Sequence, residues 1–183
     1  MKKIDDLDSD DFYVISVLIQ NVQNYIIYAD GEFSESEVWV LSSYISGANK
    51  MPLEPLNSIF KIWKEKGVSH TRATSDEAVG LMNKFTIEGI DPYSEEAFKM
   101  RFDNGLHIIN KFSFTEKYDF VVGIYGLMLH ITHADNRVYT GEIKNSLDII
   151  KYFIDKLNLP SSLTLSVDKA FRSTGGDEGF IYR

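Results

Sequence analysis

A chain of 183 residues with 44% hydrophobic and 25% charged content carries enough apolar surface for one well-buried domain. Its 19 Lys and Arg against 27 Asp and Glu leave a net charge of 19 − 27 = −8, which argues against nucleic acid and anionic membrane surfaces, since both need clustered cations. With no cysteine, disulfides and thiolate zinc sites are excluded, any metal must be held by Asp, Glu, His or backbone oxygens, and the reducing cytoplasm is the expected compartment.

The N-terminal MKKIDDLDSDDF lacks the apolar stretch of a signal peptide, and residues 1–8 read as a solvated acidic arm. Ser9 and Asp10 are candidate caps for a first helix, whose face repeats at Val14, Leu18, Val22 and Ile26. After Asp30 and Gly31 a second helix places Val38, Leu41 and Ile45 inward and stops at Gly47. Pro52 and Pro55 stand at the entry of a third, with Leu56, Ile59, Phe60 and Trp63 on its buried face. GVSHTRATSD reads as a surface loop, and Thr74 and Glu77 as the capping box of a separate helix through Ala78, Leu81, Met82 and Phe85. A further helix carries Phe98, Phe102, Leu106 and Ile109. The next, from Thr115, is apolar on almost every side, which predicts a central helix, with Gly123 and Gly126 explained by close neighbours. Ile124, Met128 and Leu147 are expected in the core, the last on a helix striped by Ile143, Ile150, Ile154 and Leu157. Beyond Pro160, Leu163, Val167 and Phe171 suit a helix, and residues 173–183 read as a tail. The expected fold is a single all-α bundle of seven to eight helices spanning 1–183. The longest apolar run, FVVGIYGLML, has ten residues, short of the ~20 that span a bilayer.

Two helix-turn-helix corners repeat within this bundle. IIYADGEFSESE and ITHADNRVYTGE align at an offset of 135 − 30 = 105, pairing Asp30 with Asp135, Phe33 with Val138 and Glu37 with Glu142. Asp30, Gly31, Phe33 and Glu37 match the second half of an EF-hand, but Ile26 and Tyr28 stand where its first carboxylates belong. A plain corner accounts for Gly31 and Asn136 as left-handed turn residues and for Ser34 with Glu37 as a capping box. It accounts less well for Asp30 and Asp135, which sit where the helix dipole disfavours negative charge.

The pattern Ala-Asp-Gly, a short apolar-containing turn and then a helix-opening Glu resembles the TerB family of tellurite-resistance proteins. It is similar also to the N-terminal domain of certain DnaJ-like membrane chaperones. YADGEFSESEV carries the resemblance; HADNRVYTGEI departs from it in having Asn136 where the family usually has Gly. The resemblance covers both corners and most of residues 9–158. It implies a seven-helix bundle with pseudo-twofold halves, an acidic surface that binds metal ions, and a stress-associated role. By position the carboxylates would be Asp30, Glu37, Asp135 and Glu142. Four converging carboxylates repel one another, and a divalent cation such as calcium, magnesium or zinc would relieve that cost.

Two other readings stay open. His130 and His133, three apart and close to Asp135, have ligand spacing for a helical metalloprotein or metalloenzyme. A ligand-free scaffold could dock a basic protein, or a second copy of the chain, on its acidic face. No zinc-protease HExxH, phosphate-binding glycine loop or nucleophile elbow is present, so the expectation is a binding module with a protein partner rather than an enzyme.

Overall fold

Asp8 starts the first helix. Its side chain accepts the Asp11 N–H at 2.8 Å, one residue ahead of the expected caps, and Asp10 and Asp11 occupy the first turn, where the helix dipole favours negative charge. The computed structural model describes residues 4–28, 34–134 and 140–163, and among these the fold is all-helical, with no strand. The helices are α1 (Ser9–Ile27), α2 (Glu35–Ser46), α3 (Leu56–Glu88), α4 (Glu95–Ile109), α5 (Phe114–Thr132) and α6 (Thr140–Lys156). A 3-10 turn, Ile4–Asp6, precedes them and packs on α3 with Ile4 buried, so the expected acidic arm is anchored from its fourth residue. No helix among the described residues is long and apolar enough to cross a membrane.

Six helical segments are described, with α3 counted as one although the backbone at Gly67 is not helical, and most of the helix expected beyond Pro160 lies outside the described residues. Residues 68–77 are helical rather than a loop. Thr74 caps nothing: it is buried in mid-helix, and its hydroxyl donates to the carbonyls of His70 (3.1 Å) and Thr71 (3.0 Å). A threonine that bonds back along its own helix has the same local spacing as one that opens a helix, and here the helical neighbours win. The real interruption is Gly67, whose φ of +79° and ψ of −169° a side chain would not tolerate. It kinks the helix without inserting a loop.

The expectation that α5 is central holds in part. Phe120, Val121, Ile124, Leu127, Met128 and Ile131 are all fully buried, yet α1 is the helix that packs against every other one. Close approach does explain Gly123, where an added Cβ would lie 3.2 Å from the Leu56 Cβ. It does not explain Gly126, whose nearest neighbour, the Met51 sulfur, would be at an ordinary 4.0 Å. On α6 the buried face is Ile149, Ile150, Phe153, Ile154 and Leu157; Leu147 and Ile143 are half-buried, so Leu147 does not belong to the inner core as expected. Val167 and Phe171 lie outside the described residues.

Candidate functional site

The corners are flanked by helices whose starts match at one offset. α1 and α5 each have 19 residues, starting 114 − 9 = 105 and ending 132 − 27 = 105 residues apart, while α2 and α6 start 140 − 35 = 105 apart. α1 packs on α6 and α5 packs on α2, so each first helix touches the other pair's second helix. Glu37 and Glu142 both fall at the third residue of their helices, and they are 5% and 1% exposed. An Oε2 of Glu37 accepts the Ser34 N–H at 3.1 Å, the reciprocal half of a capping box, as expected. The side-chain amide of Gln23 donates to the carbonyls of Glu37 (3.4 Å) and Val38 (3.2 Å), tying α1 to the first turn of α2. Across the pairs, Asn145 Nδ2 donates to the Tyr25 carbonyl at 3.0 Å, and Tyr44 Oη lies 3.1 Å from His130 Nδ1.

Of the four carboxylates expected to converge, Glu37 and Glu142 are thus placed, while Asp30 and Asp135 lie outside the described residues, together with Gly31, Phe33, Asn136 and Val138. Among the described residues no three His, Asp or Glu side chains come together as metal ligands. The two histidines are engaged differently from a ligand pair. His130 meets Tyr44 through Nδ1, with the rings edge-on at 5.6 Å. His133 Nδ1 lies 2.7 Å from the Leu129 carbonyl; an oxygen that only accepts puts the ring proton on that nitrogen.

Sequence reasoning passed over Arg101. It sits on α4 between Ala97 and Gly105, on the buried stripe, and is 4% exposed. Its guanidinium carbon is 4.6 Å from the Phe85 ring centre and 5.0 Å from that of Tyr25. Nη1 donates to the Pro92 carbonyl, and Nη2 lies 3.0 Å from the Met82 sulfur. Burial pulls the guanidinium down to about 10, and burial followed by the nearby Asp148 pushes the Tyr25 hydroxyl well up. No described carboxylate pairs with Arg101, so two aromatic faces and a carbonyl carry its charge. A cation on an apolar helical stripe was the legible signal. The chemistry is that of a clamp joining α1, α3 and α4.

A cleft of about 620 Å³ opens between α1, α2 and α3. Of the two tryptophans, Trp63 is buried in the wall of this cleft, while Trp39 on α2 stands 68% exposed. Comparison with protein-family models, curated proteins and solved structures matches none of them to this chain.

Proposed function

We propose that the chain is a non-enzymatic, acidic binding module of TerB-like type, in which two pseudo-repeated corners share a divalent cation. The observation that supports this reading is the single offset of 105 that relates both bounds of α1 and α5 and the starts of α2 and α6, and carries one buried glutamate onto the other. A carboxylate removed from water needs donors or a counter-charge. Glu37 accepts the Ser34 N–H, and an ionised carboxylate can accept at both oxygens. Asp30, Glu37, Asp135 and Glu142 would hold the ion, a divalent cation such as calcium, magnesium or zinc, through their carboxylate oxygens. The ion would supply counter-charge and lock the two helix pairs together, presenting an acidic surface to a basic protein partner.

A second reading, the ligand-free scaffold, is favoured by the Ser34 to Glu37 bond, because a capping carboxylate needs no ion. Thermal melts separate the two. If the ion is shared, Asp30→Asn and Asp135→Asn each raise the melting temperature slightly in chelator and each abolish most of the stabilisation by millimolar calcium or magnesium. In the parent that stabilisation is about 2.7 kcal/mol at a hundredfold excess over Kd. Equal ion-induced shifts in parent and both variants would sink the shared site and leave the scaffold.

A further inference from the structure

We infer that the cleft between α1, α2 and α3 is a binding site for a small amphiphilic carboxylate, a molecule with an alkyl or aryl body and an anionic head. This inference stands apart from the corner cation and survives its failure.

The cleft has the size of a small-molecule pocket, about 620 Å³, within the roughly 300–1,000 Å³ such sites span. Its walls are apolar: Leu41 and Ile45 on α2 face Trp63, Val68 and Val79 on α3. The kink at Gly67 turns the second part of α3 at this place, and Val68 beside it is 85% exposed. A β-branched apolar side chain left in water at a cleft's edge is surface that a ligand body would cover.

The polar groups in the cleft are unspent. Gln20 on α1 is 7% exposed, and its side chain makes no hydrogen bond among the described residues. One turn on, the Asn24 Nδ2 is buried without a partner. Two carboxamides four residues apart lie on the same face of a helix. A buried amide nitrogen with no partner, as at Asn24, has lost its water and gained nothing in return, which is unfavourable until another polar atom reaches it. Both lie on α1, the helix with the most buried polar residues among those described, whereas the amide nitrogen of Gln23 next to them donates to the α2 carbonyls.

Charge decides the head group. Of the three charged residues lining the cleft, Arg72 and Asp76 face each other at 3.8 Å and offset. Lys64 remains: it forms no ion pair among the described residues, and its ammonium sits beside Gly47 at the end of α2. A lone cation at the mouth of an apolar cleft, in a chain of net charge −8, selects an anion locally against the field of the whole molecule. Carboxamide donors and an ammonium together suit a carboxylate's two oxygens.

Trp63 in the wall provides the readout. In a Trp39→Phe background it is the only tryptophan, since the chain has two. Titration with decanoate, below its micellar range, should give a saturable change in Trp63 emission. Gln20→Leu and Lys64→Glu should each weaken decanoate binding at least tenfold, and Lys64→Glu should leave 1-decanol binding unchanged. The Lys64 side chain is exposed, so its variant folds and decides the matter even if circular dichroism shows that Gln20→Leu does not. Absence of a saturable response, decanoate binding unaltered by Lys64→Glu, or decylamine bound as well as decanoate would each overturn the assignment.

Discussion

The α1–α2 pair and the α5–α6 pair share one frame and differ in what fills it. Counted at the offset of 105, Ile15 and Phe120, Ile19 and Ile124, Val22 and Leu127, and Ile26 and Ile131 match, and all eight are fully buried. The polar positions of α1 do not carry over. Ser16, Gln20, Asn21 and Gln23, all buried, correspond to Val121, Tyr125, Gly126 and Met128 on α5. The apolar positions therefore set the shared architecture, while α1 adds hydrogen-bonding reach toward α2, α3 and α4 and an unspent amide toward the cleft. The second helices differ as well. α2 is held at its start by its own capping box and by Gln23, whereas α6 reaches across the pairs through Asn145.

The widest test of the shared frame removes one matched core residue from each pair. Ile19→Ala and Ile124→Ala should each cost roughly 2–5 kcal/mol in urea denaturation, because both leave a cavity in a fully buried site. Costs within about 1 kcal/mol of each other support equivalence of the two helices. A gap above about 2 kcal/mol, with α1 the more sensitive, would mean that its contact with all five other helices outweighs the matched position.

Arg101→Ala comes next and belongs to the first pair alone, since position 101 bonds to Asn21 and stacks on Tyr25. Loss of two cation–π faces and of a charge-assisted bond to Pro92 should cost about 2–4 kcal/mol. Lysine cannot lie flat between two rings, so Arg101→Lys should recover less than half of that. Full recovery by lysine would reduce the clamp to a charge effect. Smaller still is Asn145→Ala, about 1–2 kcal/mol, which leaves the Tyr25 carbonyl in the last turn of α1 without its donor from α6. If its chemical denaturation midpoint does not move, the Asn145 bond adds nothing to the joining of the two pairs.

Legibility followed the same division. The all-α class and the bounds of α1 and α5 were readable because an apolar stripe at helical spacing has one cheap solution, burial on one face. The break in α3 was not, because Thr74 carries the letters of a cap while its hydroxyl spends itself on its own helix, and Gly67 bends the backbone with no polar loop to announce it. At the corners the sequence placed Glu37 in its capping box, and the structure adds that both it and Glu142 are buried. The joining of the pairs through Asn145 and Tyr25 spans 120 residues, and no local pattern encodes a bond of that separation. The cleft went unread for a related reason. Gln20, Lys64 and Val68 are ordinary helix-surface letters until three helices bring them to one opening.

The smallest expected effect lies at the far end of α1. His70 on α3 stacks against Phe12 at 5.3 Å, stands edge-on to Tyr13 and Trp63, and reaches Ser16 Oγ through Nε2 at 3.2 Å. Burial first, and then the Lys66 ammonium, hold its pKa below the usual 6.5. The charged groups around it are Lys66, which donates to Ser9, and Glu77, which is bound by the Tyr13 hydroxyl at 2.7 Å and helps burial push that hydroxyl up to about 12. The folded state therefore favours neutral His70. Between the depressed folded value and 6.5 the unfolded chain binds more protons, so stability rises with pH in that window. The contribution is whole above about 6.5 and is lost as pH falls through the folded value. His70→Phe keeps the ring packing and removes the titration, and Ser16 still donates to the Phe12 carbonyl at 2.9 Å. From pH 7 to pH 5 the parent should lose stability relative to His70→Phe, read as a narrowing or reversal of the gap between their urea midpoints. A gap that stays constant across the window would show that this end of α1 tolerates a charged imidazole. The polar residues of α1 would then be passive there, as the apolar ones of α5 are.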